Sequence, residues 1–327
     1  MNIFITGGTG FIGATLARRL AGSGHTIHAL CRSMSSYSIA GNDNIRIFEG
    51  NVLNRASIEK AIKNCDQVYH LAAYGRVWAK DPKTYFHVNV NGTINVLDAA
   101  SGNGIKKVVF TSTAGTLGPS SGTVVDENSI RTTDFFTEYE SSKFIAEEKV
   151  RQYVREGLDV VTVNPTRVYG HGLLSESNGV TRLIQRYISG KWRLIPGDGE
   201  KSGNYVYIDD VVNGHILAME KGKPGGKYIL GGTNVSYNDF FNLLGTVSGK
   251  KERLYKIPLP IMLAFAGIQE LSANLFNRHP MITPKWVRRY LYNWELTSQK
   301  AEQELGYRIT PLEEGFEKTV KWLRDKG

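Results

Sequence analysis

The stretch Thr6-Gly7-Gly8-Thr9-Gly10-Phe11-Ile12-Gly13 decides the fold. It follows an apolar run, Asn2–Thr6, and opens a segment, 12–23, whose apolar residues recur three or four apart. The run reads as a strand and the segment as a helix. Gly7, Gly10 and Gly13 keep a GxxGxxG spacing. Glycines here let backbone N–H groups come against a pyrophosphate at a helix N-terminus, and let the helix approach the strand. In a chain with 35 glycines a triplet alone carries little weight. Its place between strand and helix makes it a dinucleotide-binding turn.

The pattern continues outward. Thr26–Cys31, Ile45–Glu49, 67–72, 107–112 and 159–164 are apolar runs of strand length, and 57–63, 85–102 and 139–156 have helical spacing. This alternation predicts an α/β fold with a doubly wound parallel sheet of Rossmann type. Beyond Asn164 the pattern loosens: 205–208 and 227–231 are expected to add strands, and 239–248 and 312–324 to be helices. The expected division is a dinucleotide-binding domain over 1–172 plus about 205–232, with a smaller, mainly helical substrate lobe over 173–204 and 233–327. The two would meet at the carboxyl ends of the strands.

Composition excludes several classes. At 327 residues, with 41% hydrophobic and 22% charged residues, the chain can bury a large core and is not disordered. Its net charge of +9 is scattered rather than clustered, so no nucleic-acid partner is expected. Cys31 and Cys65 have no metal-ligand spacing, and no metal site is expected. They read as small buried thiols in a reducing compartment. The opening residues lack a signal-peptide pattern, and the most apolar stretch, 258–268, is too short to span a bilayer. The expectation is a cytoplasmic protein without stable membrane insertion.

Two positions point to the chemistry. The second strand ends His28-Ala29-Leu30-Cys31-Arg32-Ser33, with Arg32 where an acid would bind a ribose 2′-hydroxyl. A guanidinium there suits a 2′-phosphate, and Ser33 or Ser35 could add a hydroxyl. NADP(H) is therefore expected ahead of NAD(H). Further on, Tyr139 and Lys143 stand four apart on one helix face. A phenol can exchange a proton with a substrate oxygen if a nearby cation stabilises its phenolate. The run Thr111-Ser112-Thr113 ends the preceding strand and offers hydroxyls to orient a carbonyl. Tyr187 and Lys191 repeat the spacing without such a strand and are expected on a surface helix.

Taken together, these pieces resemble the extended short-chain dehydrogenase/reductase family, within the epimerase/dehydratase superfamily. The matching segments are 6–13, 70–73, 89–93, 110–115, 139–143 and 164–170, in the family's order. The resemblance implies that Tyr139 is the general acid/base, that Lys143 lowers its pKa and holds the nicotinamide ribose, and that Thr113, with Ser112 as competitor, holds the substrate oxygen. It also implies cofactor contacts from Gly7, Thr9, Gly10, Phe11, Ile12 and Gly13. Further contacts would come from Arg32, Ser33, Asn51, Val52, Leu71, Ala72, Ala73, Asn89, Thr111, Tyr139, Lys143, Pro165, Thr166 and Val168. Asn51 departs from the family's usual aspartate, but an amide carbonyl can accept the same bond. His70 is expected to be packed rather than catalytic.

The reaction class rests on the substrate side. Sugar-nucleotide members of the family carry an arginine where this chain has Gly203, and a glycine supplies no bidentate clamp. With Arg32, this is most similar to the dihydroflavonol-4-reductase and 3β-hydroxysteroid-dehydrogenase-like branch. The resemblance implies reduction of a hydrophobic ketone to a secondary alcohol by NADP(H). Residues 261–265, 275–276 and 286–294 would suit such a substrate, or would form the lobe's core. Arg167 and His171 are candidate substrate contacts. The alternatives are a nucleotide-sugar epimerase or dehydratase, and a non-catalytic cofactor sensor. A homodimer through 85–102 and 139–156 is also expected from the family.

Overall fold

The computed structural model describes residues 1–33, 42–175, 178–250, 252–276 and 278–326. Its centre is a seven-stranded sheet of β1 (Asn2–Thr6), β2 (Thr26–Cys31), β3 (Ile45–Glu49), β4 (Gln67–His70), β5 (Lys107–Thr111), β6 (Val160–Pro165) and one later strand, Lys227–Leu230. Counting the three short strands before it, β7 (Arg167–Tyr169), β8 (Leu194–Pro196) and β9 (Ser202–Tyr207), that strand is β10. The sheet order is β10-β6-β5-β4-β1-β2-β3, and every pairing is parallel. The order reverses between β1 and β4, which opens a crevice at their carboxyl ends. Thr6 and His70 are register partners there.

Parallel strands are buried on both faces, which is why these segments read as continuous apolar runs. On one face lie α1 (Phe11–Gly22) and, much later, α7 (Ile208–Lys221). On the other lie α2 (Arg55–Ile62), α4 (Gly92–Gly102) and α5 (Glu138–Arg155), over Phe4, Val68, Val108 and Val160. The helix expected over 85–102 forms, starting at Lys83 and widened by one π-type turn. A four-residue α3 (Lys83–Phe86) runs into a π-type turn over His87–Asn91 before α4 begins. The Thr93 hydroxyl donates to the Asn89 carbonyl at 2.6 Å, competing with the regular ladder.

The rest of the chain builds smaller units. β7, β9 and β11 (Thr233–Ser236) form a three-stranded sheet, and β8 pairs with β12 (Tyr255–Ile257). Helices α6 (Gly179–Ile188), α8 (Tyr237–Ser248), α9 (Leu259–Phe276), α10 (Pro284–Arg288), α11 (Gln299–Leu305) and α12 (Leu312–Asp325) complete it. Two expectations are corrected. Tyr187 is only 2% exposed, donates to the Lys250 carbonyl at 3.1 Å and packs on Phe241, so it belongs to the core rather than a surface helix. Ile261, Phe265, Leu275 and Phe276 do not form the lobe's core but are exposed on α9.

Candidate active site

The glycine turn is built by contact. Gly7 sits at φ +74, and a Cβ on it would lie 2.6 Å from the Ala72 nitrogen. A Cβ on Gly13 would lie 2.2 Å from the Gly7 oxygen. The turn is thus wedged between α1 and the chain leaving β4. α1 starts at Gly10 with no side-chain cap and no acid in its first turn, so its first N–H groups suit an anion. Phe11 is 3% exposed, so only its backbone can contribute. Thr9 and Ile12 are half-buried at the turn.

Around this turn, Arg32 is exposed one residue past β2, with Ser33 half-buried beside it. Ser35 lies outside the described residues. Val52 is buried, Leu71 and Ala72 are half-buried, and Ala73 is exposed past β4. These residues and the uncapped helix fit a dinucleotide. The Asn51 side-chain carbonyl accepts the Leu53 N–H at 2.8 Å and keeps a second lone pair for the bond expected of it. One position differs from expectation. Asn89, fully buried, accepts the Tyr74 N–H at 2.7 Å and donates to Ser142 at 2.9 Å and the Tyr74 carbonyl at 3.3 Å. With both amide hydrogens used, Asn89 positions α5 and the Tyr74 loop and has no donor left for a cofactor.

Helix α5 carries Tyr139 on its first turn, where Thr137 caps the helix by accepting the Glu140 N–H. The Tyr139 phenol and the Thr113 hydroxyl lie next to each other, close enough for Thr113 to favour the phenolate. Burial raises the phenol's pKa, while Thr113 and the nearby Arg289 charge pull it down. Lys143, one turn on, is 1% exposed. Its Nζ donates to the Thr111 carbonyl at 2.8 Å and lies 4.1 Å from the centre of the Phe110 ring. Burial lowers its pKa to about 7, against the pull of Glu147. Arg289 is thus a cation that favours the phenolate in this geometry.

The two competing hydroxyls part company. Ser112 donates to Glu147 at 2.5 Å, while Thr113 lies beside the phenol. The Thr111 side chain pairs with His215 at 2.9 Å. Glu147, missed in the sequence, is 2% exposed and also bonds Thr116 at 2.9 Å, Asn164 at 2.8 Å and Lys227 at 2.9 Å. It ties α5 to β5, β6 and β10. Its only sequence signal is a carboxylate one turn past Lys143. His70 bonds Thr6 at 2.6 Å and Thr93 at 3.0 Å, and burial with the Lys143 charge lowers its pKa to about 3. It is a neutral packing residue.

Beside Thr113 is a small cavity lined by Pro165, Thr166, Arg167, Asn204 and Arg289. The Thr166 hydroxyl is buried there without a hydrogen-bond partner among the described residues. Val168 faces the core instead. Arg289 lies between Trp286 and Trp294, 4.8 and 4.3 Å from their ring centres, and shares the buried Glu140 with Arg131. Arg167 donates to the Tyr205 and Tyr237 hydroxyls at 3.0 and 2.9 Å. A Cβ at Gly203 would lie 2.3 Å from its Nη1. Replacing a family arginine by Gly203 therefore does not leave that place without a guanidinium. His171 instead pairs with Asp209 at 3.3 Å, which Arg19 also holds.

The sequence model of the NAD dependent epimerase/dehydratase family matches residues 3–231. The chain belongs to that family. A protein of Synechocystis sp. carrying the provisional name dihydroflavonol 4-reductase is 30% identical over 99% of this chain and 95% of its own length. Among solved structures, gox2253 superposes with a TM-score of 0.84 at 31% identity, covering 99% of this chain and 98% of its own. The UDP-glucose 4-epimerase of Thermotoga maritima, solved with UDP-glucose, gives 0.82 at 27%, covering 100% and 99%. As a member of the epimerase/dehydratase family, the chain is an NAD(P)-dependent enzyme of the extended short-chain dehydrogenase/reductase type.

Proposed function

We propose that this enzyme reduces a ketone to a secondary alcohol with NADP(H), using Tyr139 as general acid. The observation that carries the reading is the juxtaposition of the Thr113 hydroxyl and the Tyr139 phenol just past the carboxyl end of β5. When bound, the cofactor supplies the hydride that reaches the carbonyl carbon. Tyr139 gives its phenolic proton to the carbonyl oxygen, and Thr113 holds that oxygen by donating its own hydroxyl. The positive charge of Arg289 favours the phenolate left on Tyr139. Lys143, held under Phe110 and Thr111, is placed to bind the ribose.

Backbone N–H groups of the Gly7–Gly13 turn hold the pyrophosphate and Arg32 a 2′-phosphate. Ala72 and Ala73 would line the cofactor channel, and Pro165 would sit beside the nicotinamide. The substrate side comes from 173–204 and 233–327, against a cofactor unit of 1–172 and about 205–232. The relative named as a dihydroflavonol 4-reductase supports this reading. The test is NADPH consumption on a panel of ketones by the wild-type enzyme and Tyr139→Phe.

A second reading, nucleotide-sugar epimerisation, is favoured by the Arg167 guanidinium in the space beside Gly203 and by the similarity to a UDP-glucose 4-epimerase. It predicts turnover of a sugar nucleotide with no net change in cofactor.

A further inference from the structure

Helix α9 (Leu259–Phe276) has a mean hydropathy of 1.3 over its 18 residues, yet only 11% of that length is buried. Ala266 and Ala273, seven apart and so on one face, form its narrow seam with the body at 0% and 1% exposure. Ile261, Ile268, Leu271, Leu275 and Phe276 are 60–68% exposed, and Met281 just beyond is 58% exposed. So continuous an apolar face is not normally left to water. The segment around it is basic: Arg253, Lys256, Arg278 and Arg288 are exposed, and from residue 253 to 288 Glu270 is the only acid in the sequence.

Both ends of α9 are tied down. Before it, β12 pairs with β8; after it, Thr283 is 3% exposed and α10 packs back on α9. The folded protein therefore presents the helix lengthwise rather than end-on. We propose that α9 docks the enzyme peripherally on the surface of an anionic phospholipid bilayer, lying in the interfacial plane. Apolar residues flanked by arginine and lysine are what such a surface binds. Charge complementarity selects this occupant over a second copy. Two chains of +9 each would repel across the patch, whereas anionic headgroups neutralise the flanking cations.

The inner flank of α9 gives the docking a consequence. Glu270 and Asn274 wall a cavity with Trp78, Tyr85 and Glu138, and Glu138 is the residue before Tyr139. If the ketone reading holds, an apolar substrate could pass from the bilayer to the site past this wall. That consequence rests on the proposed function; the docking does not.

The test is sedimentation of the full chain with vesicles of phosphatidylcholine alone, and with vesicles in which part of it is replaced by phosphatidylglycerol. The protein is expected to pellet with the anionic vesicles, to stay in solution with the neutral ones, and to be released by high salt. Ile268→Glu with Leu275→Glu should lower the partition coefficient about tenfold or more, with unfolding temperature and NADPH binding unchanged. Arg253→Glu with Lys256→Glu should weaken binding to anionic vesicles. Wild-type protein remaining in the supernatant, or pelleting of the α9 double variant like wild type, would overturn the proposal. So would a wild-type dimer in sedimentation velocity that the α9 double variant converts to monomer, since α9 would then serve a second copy. Failure of the ketone reading shows separately, as no NADPH consumption with vesicle binding intact.

Discussion

Gly203 and Arg167 stand on neighbouring strands, and a Cβ on the first would lie 2.3 Å from Nη1 of the second. The glycine is there because a guanidinium fills the space its side chain would need. That guanidinium is held by two tyrosine hydroxyls and, among the described residues, by no carboxylate. It lines the cavity beside Thr113, so a molecule bound there would meet a positive charge at this wall.

Gly203→Ala should therefore displace Arg167 from Tyr205 and Tyr237. The expected loss is about 2 kcal/mol, from overpacking and the disturbed charge-assisted bonds. The urea midpoint of the purified variant measures it. A midpoint equal to wild type would mean that Arg167 moves at no cost and does not dictate the glycine.

Ser112→Ala and Thr113→Ala separate the two hydroxyls. Ser112 serves Glu147, so its loss should lower stability by about 1 kcal/mol and leave kcat near wild type. Thr113 lies beside Tyr139, so its loss should lower kcat by about 100-fold at similar stability. Steady-state rates and melting curves on both variants decide it, and the reverse pattern would assign Ser112 to the chemistry.

Glu147 sets an acid limit on stability. Burial raises its pKa, but Lys227, Ser112 and Asn164 outweigh burial and hold it below the usual carboxylate range. A carboxylate with a depressed folded pKa binds fewer protons folded than unfolded. Its contribution is thus complete above its unfolded pKa of about 4.3 and is lost as pH falls through the folded value. Glu147→Gln should cost about 3 kcal/mol at neutral pH, at the low end for a buried pair because Lys227 keeps some contact with water. It should also flatten the fall in stability below about pH 5. Denaturant titrations across pH test both; an unchanged acid slope would show that other carboxylates carry it.

Arg32→Ala should raise the Kd for NADPH by about 10- to 100-fold and leave NADH nearly unaffected, as expected for losing charge-assisted bonds to a phosphate. Fluorescence titration with both cofactors measures the ratio. Equal weakening of the two would place Arg32 outside the 2′-position.

Much of the sheet was legible because parallel strands are apolar on both faces and glycines punctuate them. Asn2–Thr6, Thr26–Cys31 and Ile45–Glu49 form at the expected bounds. The glycine turn and the Tyr139–Lys143 pair were legible because they are local in sequence. What escaped depends on contacts between distant residues. Glu147 is bonded to Lys227, 80 positions away, and Glu140 to Arg289, 149 away. Neither acid differs in sequence from a solvated helix carboxylate. The same limit hid Arg167 behind Gly203, since an empty place in one strand says nothing of what its neighbour inserts. On α9, apolarity implied burial, but only the fold shows which face has a partner.

The most direct test of the central claim follows NADPH absorbance while the enzyme meets aryl, steroid and aliphatic ketones alongside sugar nucleotides. The account predicts steady NADPH loss on at least one ketone. Tyr139→Phe should reduce that rate by about 100-fold or more, with NADPH binding retained. Conversion of a sugar nucleotide at constant cofactor, with no ketone consumed, would contradict it and assign Arg167 to a diphosphate-bearing substrate.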